Sequence, residues 1–233
     1  MVNNCLNIIQ QFLFPPSCLF CGDSGIQTMD ICQDCFDELP ENIPHCLRCA
    51  RTFEPTQENQ IICGQCLQQP PHFDQVIAPY LYLEYMAWLI TGLKFRKQYK
   101  HARLLAQLLA GHVSQLPERP DYILPVPLHP ARYRQRGFNQ SLEIARTLSK
   151  QLNIPLNTDC CKRILNTPRQ SQLPAKQRRK NVRRAFVVNH SVQGQHIAVL
   201  DDVMTTGSTV KEIARVLKQA GASRVDIWVC ARA

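Results

Sequence analysis

Nowhere in this chain of 233 residues do about 18 apolar residues stand together, which excludes a helical membrane span. The first residues carry neither a basic patch nor an unbroken apolar stretch, so no secretory signal is expected and the chain reads as cytoplasmic. Glycine is scarce, at nine residues, and none are spaced as Gly-x-Gly-x-x-Gly or Gly-x-x-x-x-Gly-Lys. That excludes a dinucleotide fingerprint and a Walker loop. Acids are also few, 18 against 27 Lys and Arg, and the segment 163–186 has none.

The charge is unevenly placed. Residues 1–70 hold eight acids and two bases, while the remainder holds 25 bases and ten acids. A basic body attracts polyanions, whether pyrophosphate or nucleic acid. The acidic balance of the first third argues against phosphate-backbone binding by that third alone.

Cysteine is abundant, at twelve. Eight form four Cys-x-x-Cys pairs: Cys18/Cys21, Cys32/Cys35, Cys46/Cys49 and Cys63/Cys66. Without a secretory signal, metal binding is favoured over disulfides. One Cys-x-x-Cys turn offers two sulfurs to an ion, and two turns complete a tetrahedral zinc site. Sequential pairing of the turns is simplest; interleaved pairing fits the spacing as well. Few large apolar residues lie between the pairs, so zinc should supply much of the folding energy there. The remaining Cys5, Cys160, Cys161 and Cys230 are scattered and read as small buried hydrophobes.

Pro70-Pro71 marks a hinge, dividing a zinc module at 1–70 from a second domain at 71–233. Strands are expected near 75–83, 121–126, 160–164, 185–189, 196–201 and 224–230. Helices are expected at 84 to about 111, broken at Gly92 or within 94–100, then at 139–152 and 208–220. Alternating strand and helix predicts an α/β doubly wound, mostly parallel sheet with its ligand beyond the carboxyl ends of the strands. Lys94, Arg96, Lys97, Lys100 and Arg103 are placed on the polar side of the first helix, beside Phe95 and Tyr99.

The most informative stretch runs from Ile197 to Thr209. Ile197-Ala198-Val199-Leu200 reads as a strand covered on both faces. Asp201 and Asp202 follow and can hold sugar hydroxyls. Thr205, Thr206, Gly207, Ser208 and Thr209 then offer hydroxyls and backbone N–H groups at the start of a helix, a favourable place for a phosphate. A ribose 5-phosphate presents both groups at that separation. The stretch resembles the 5-phosphoribosyl 1-diphosphate (PRPP) signature of type I phosphoribosyltransferases.

The resemblance extends along nearly the whole chain. The four Cys-x-x-Cys pairs are followed by Leu93-Lys94-Phe95, Pro125-Val126-Pro127-Leu128 and Arg136-Gly137-Phe138-Asn139-Gln140. Thr167, Gln170, Leu173, Arg178, Asn181-Val182 and Ala185-Phe186 come next, then the Asp-Asp-Val-Met-Thr-Thr-Gly loop. This pattern is similar to the ComF/GntX family of ComFC-like competence proteins, in which a double zinc ribbon precedes a phosphoribosyltransferase domain. The resemblance implies a cytosolic protein of natural transformation that binds PRPP with Mg²⁺ and handles incoming single-stranded DNA.

On this reading Asp201 and Asp202 carry the chemistry, and the 205–209 loop holds the 5-phosphate. Backbone groups near Val126 and Pro127 hold pyrophosphate. Lys94, Arg134, Arg136, Arg169, Lys176, Arg178, Arg179 and Lys180 meet pyrophosphate or DNA. Phe95, Tyr99, Tyr133 and Phe138 are candidate stacking surfaces for bases. The basic segment 163–186 is expected to close over the site. The alternatives are an active phosphoribosyltransferase of nucleotide metabolism, and an adaptor whose zinc module recruits a helicase or other DNA-uptake component.

Overall fold

The computed structural model describes residues 15–53, 61–166 and 182–233. Cys5, Thr167, Arg169, Gln170, Leu173, Lys176, Arg178, Arg179, Lys180 and Asn181 lie outside the described residues.

At the centre is β6 (His196–Met204), where Ile197, Ala198, Val199 and Leu200 are all fully buried. It pairs in parallel with β3 (Tyr122–Pro125) on one side and with β7 (Arg224–Arg232) on the other. The short β1 (Gln75–Ile77) and β2 (Tyr80–Leu81) pair with successive stretches of β7, also in parallel. Every strand of this sheet is parallel, and β3, β6 and β7 are buried along most of their length, as their apolar runs require.

One departure from expectation concerns β4 (Cys161–Arg163) and β5 (Phe186–Val188). They were expected to alternate with helices in the main sheet, but they pair antiparallel with each other as a separate two-stranded unit. At three residues each, with alternating rather than continuous burial in β4, they cover one face instead of entering the sheet.

The expected first helix divides into α3 (Glu84–Arg96) and α4 (Tyr99–Val113). Two short helices precede them, α1 (Gln33–Asp37) and α2 (Gly64–Gln68). The break falls at Lys97, which takes a left-handed conformation with φ 54°. Gly92 is no hinge: it is helical, and a Cβ there would strike the His101 ring of α4. Its role is to let the two helices approach. Trp88 lies half exposed against His101 and Phe20, while Met86, Leu89, Ile90 and Leu93 turn inward.

After β3 come α5 (Pro130–Arg136) and α6 (Gln140–Leu152). Asn139 caps α6 by accepting from the Ser141 N–H at 3.1 Å. After β6 comes α7 (Ser208–Gln219), whose Val210, Ile213, Ala214 and Leu217 make one inward stripe. Helices α3, α4 and α6 pack on one sheet face, and α7 with the β4–β5 pair on the other. The chain therefore winds both ways, and its direction reverses between β3 and β6.

The cysteine ribbons lie against both faces. Cys18, Cys32 and Cys35 belong to the apolar cluster of α3 and α4; Cys46, Cys49, Cys63 and Cys66 belong to that of α7 and β5. The first ribbon is also tied by an Asp30–Arg103 ion pair and by Gln107 donating to the Thr28 carbonyl. Arg103 is thus engaged by the ribbon. Cys160, Cys161 and Cys230 are buried, in line with their reading as hydrophobes. Among the described residues no helix is long and apolar enough to cross a membrane.

Candidate phosphoribosyl site and zinc quartets

Strand β3 stops at Pro125, opposite Leu200, so β6 continues past it and leaves Asp201 and Asp202 at the reversal point. A cleft of about 660 Å³ opens there. This is where a doubly wound sheet accommodates a ligand.

Asp202 is buried and ion-paired with the Lys94 ammonium from α3. Lys94 therefore does not lie on a solvated helix face. Burial works against its charge, but Asp202 outweighs that and holds the lysine above its ordinary range. Asp201 accepts a hydrogen bond from the Ser141 hydroxyl at 2.8 Å. Burial, and then the charge of Asp202, push its pKa up to about 7, against the opposing pull of Lys94. Two carboxylates sharing one cationic partner are a hard-oxygen donor set, suited to hydroxyls and to Mg²⁺.

The 205–209 loop follows β6 without a break. Gly207 has φ 70° and stands at the N-cap of α7, while Thr206 and Ser208 share a hydroxyl–hydroxyl bond of 2.8 Å. Thr205, Gly207, Ser208 and Thr209 line the cleft; Thr206 faces a neighbouring groove. A Cβ on Gly207 would collide with the Met204 methyl and would need a left-handed backbone that side chains disfavour by ~1–2 kcal/mol. Gly207→Ala is therefore expected to leave the chain folded and to weaken binding of a phosphate ligand by this loop ~5–30-fold, equivalent to that strain. Circular dichroism and ligand titration of one preparation check this.

Across the cleft, Val126 donates its N–H to the Leu200 carbonyl at 2.9 Å, and its carbonyl accepts from Asn139 at 3.0 Å. Val126 and Leu128 line the cleft, with Pro127 between them. His129 caps α5, so the proline-rich turn is held at both ends. Arg132 and Arg136, one helical turn apart, line the cleft; Arg134 is exposed outside it. Arg163 on β4 adds a buried cation over the Phe186 ring. Its pKa falls to about 10, first through burial and then through Arg132.

Phe95, Tyr99 and Tyr133 are exposed, whereas Phe138 is buried against Tyr99 and offers no stacking surface. An aromatic in an Arg-Gly-Phe-Asn turn looks exposed in sequence; here it fills the space where α5 meets α6.

Two residues escaped the sequence reading. Ser141 precedes Ile144, Ala145 and Leu148 on the same inward stripe, a detectable signal for a buried hydroxyl. Arg232 closes the apolar run 227–231 and donates to the carbonyls of Met204 (2.7 Å) and Thr205, fixing the entry of the 205–209 loop.

The eight ribbon cysteines fall into two quartets: Cys18, Cys21, Cys32 and Cys35, and Cys46, Cys49, Cys63 and Cys66. Within each, the sulfurs lie within 4.8 Å of one another. The pairing is sequential, and the interleaved alternative is excluded. Four cysteine sulfurs at this spacing are the donor set of a structural zinc site. Backbone N–H groups turn toward the sulfurs, Cys63 N–H reaching Cys46 at 3.3 Å. These contacts bring the Cys18 thiol down to about 6 and Cys46 to about 7, overcoming the upward push of burial.

Comparison with known proteins matches the same two parts. A double zinc ribbon domain profile matches residues 9–67, and a phosphoribosyl transferase domain profile matches residues 138–233. Competence protein F of Haemophilus influenzae is 34% identical over 226 residues, covering 93% of this chain and 96% of that protein. The chain belongs to the ComF/GntX family. DNA utilization protein YhgH of Escherichia coli O157:H7 is 36% identical over 200 residues, covering 80% of this chain and 88% of that protein. Competence protein ComFC of Bacillus subtilis is 26% identical, covering 82% and 79%. Among solved structures, a glutamine PRPP amidotransferase from B. subtilis aligns with TM-score 0.38 at 21% identity, covering 55% of this chain and 25% of that one.

Proposed function

We propose that this ComF/GntX protein binds PRPP in the Asp201–Asp202 cleft and handles single-stranded DNA entering the cell during natural transformation. The observation that carries the first part is the union, at one reversal point, of two acids with a loop opening a helix N-terminus. The acids take the ribose 2- and 3-hydroxyls, and the loop takes the 5-phosphate. Arg132, Arg136 and Arg163 face the diphosphate with positive charge, and Lys94 holds Asp202 in place. Asp201 and Asp202 are the residues that would hold a magnesium ion, which would supply further neutralisation of diphosphate charge.

Any transfer here is favoured by charge placement more than by proton transfer. Among the described residues lining the cleft, Asp201 and Asp202 are the only carboxylates, and there is no histidine.

Competition tests this part. Ribose 5-phosphate and pyrophosphate should each displace labelled PRPP, because each fills a separate half of the cleft; a nucleoside lacking phosphate should not. Displacement by the nucleoside alone would overturn the assignment. Affinity is also expected to rise about tenfold from pH 6 to pH 8. The Asp201 carboxyl, with its pKa near 7, must lose a proton to accept the ligand hydroxyls. A flat profile, measured with the ligand's own titration corrected, would contradict this role.

The second part is supported by the basic body, by the relatives named for competence and DNA utilization, and by exposed Phe95, Tyr99 and Tyr133. An adaptor role is favoured by Ile43, Leu47, Ile61 and Leu67, four exposed aliphatic side chains on the second ribbon. A ribbon variant with these residues made polar, normal in PRPP and DNA binding yet deficient in transformation, would establish that role.

A further inference from the structure

Behind the phosphate loop lies a second and larger recess, of about 1350 Å³, between the second ribbon and the first turns of α7. It exceeds the ~300–1,000 Å³ typical of a small-ligand site. Arg51 enters from the ribbon, Arg183 and Arg184 from the segment before β5, and Lys211 and Arg215 from α7. Glu212 is the one acid among the described lining residues, and its carboxylate is already occupied by Arg215 and the Arg184 N–H. None of these cations reaches the PRPP cleft, so the proposed site leaves them unexplained.

The acids of the first third bear on this. Among the described residues they all lie at or before Glu41, in or beside the first ribbon; from Asn42 through Phe73 the described chain carries Arg48 and Arg51 and no acid. Among the described ribbon residues that line the recess, Arg51 is the charged one and no acid stands beside it. Arg51 on one wall thus faces Arg183, Arg184 and Lys211 on the other across a space larger than one small anion fills.

We propose that this groove is the track for single-stranded nucleic acid, its phosphates running between Arg51 on the ribbon and Arg183 and Lys211 on the body. The proposal rests on the reading of the chain as a single-strand handler and gives that reading a place. Met204, Thr205 and Ser208 line both the groove and the PRPP cleft. The strand and the sugar phosphate thus lie on opposite sides of one loop, whose entry Arg232 clamps from β7.

The test is anisotropy of a fluorescent 20-mer of thymidylate with the full, zinc-loaded chain. Variant Arg51→Glu/Arg183→Glu removes two exposed cations; Arg146→Glu/Lys150→Glu, on α6 across the sheet, makes the same change of charge elsewhere. The groove variant should bind at least ~tenfold more weakly, with a salt slope shallower by about one to two, since each lost phosphate contact removes ~0.7. The α6 variant should stay within about twofold of wild type. Both should retain zinc and PRPP affinity. If the double reversal loses zinc, Arg183→Gln alone serves and should weaken binding severalfold.

Equal weakening in both variants would show general attraction only and would overturn the groove. So would a greater loss in Phe95→Ala/Tyr133→Ala, which would place the strand at the cleft mouth. Failure of wild type to bind the oligomer at low salt would overturn both the groove and the DNA half of the reading. The PRPP titration would be unaffected by that failure.

Discussion

Stripping metal from the chain is expected to lower its unfolding midpoint by more than about 10 °C. A structural zinc contributes ~10–16 kcal/mol of apparent binding energy to the fold that creates its site. A whole domain holds only ~5–15 kcal/mol in reserve, and about 2–4 °C is lost per kcal/mol at this size. The effect is not confined to the ribbons. Cys46, Cys49, Cys63 and Cys66 share an apolar cluster with Phe73, Val76, Leu124 and Val225, so a collapsed quartet uncovers one face of the sheet. Cys46→Ser, at a fully buried position, should cost more than Cys21→Ser, where the sulfur is exposed. Scanning calorimetry with elemental analysis is the check: two zinc ions per chain are expected. An unchanged midpoint in verified metal-free protein would contradict the role.

Lys94→Met is expected to destabilise the chain by ~3–5 kcal/mol, the usual loss when one member of a buried ion pair is removed. Asp202, at 2% exposure beside Asp201, would lose its ion-pair partner. Lys94→Met/Asp202→Leu should recover most of that stability, because an apolar pair of similar bulk removes the stranded charge. PRPP binding would remain lost in the double variant, since the acid is gone. Denaturant titration of the two singles and the double gives the coupling directly. Additive effects would mean that the pair is not the reason Lys94 is buried.

Much of this arrangement was readable from local pattern. The apolar run 197–200 fixed the central strand, the acids after it marked the carboxyl end, and Gly207 with its hydroxyl neighbours marked the turn into α7. The Cys-x-x-Cys spacing fixed the donor sets but not their pairing, which depends on how the turns fold back. Other features depend on distant partners. Lys94 sits in a basic cluster and reads as a contact for pyrophosphate or DNA; only the approach of α3 to β6 pairs it with Asp202. Arg103 reads the same way, until Asp30 of the first ribbon meets it. Neither β4 nor β5 carries a signal that it avoids the main sheet, since runs of three residues suit either place. Arg232 has no local signature, because its partners are backbone carbonyls 27 and 28 residues earlier.

Calorimetric titration of PRPP with Mg²⁺ into wild type and into Asp201→Asn/Asp202→Asn tests the cleft most directly. Saturable one-to-one binding by wild type, weakened at least ~hundredfold in a folded, zinc-loaded variant, is the expected result, for two charged acceptors at ~1.5–3 kcal/mol each. Equal binding by both proteins, or none by a zinc-loaded wild type, would contradict the assignment of Asp201 and Asp202 as the ribose-gripping pair.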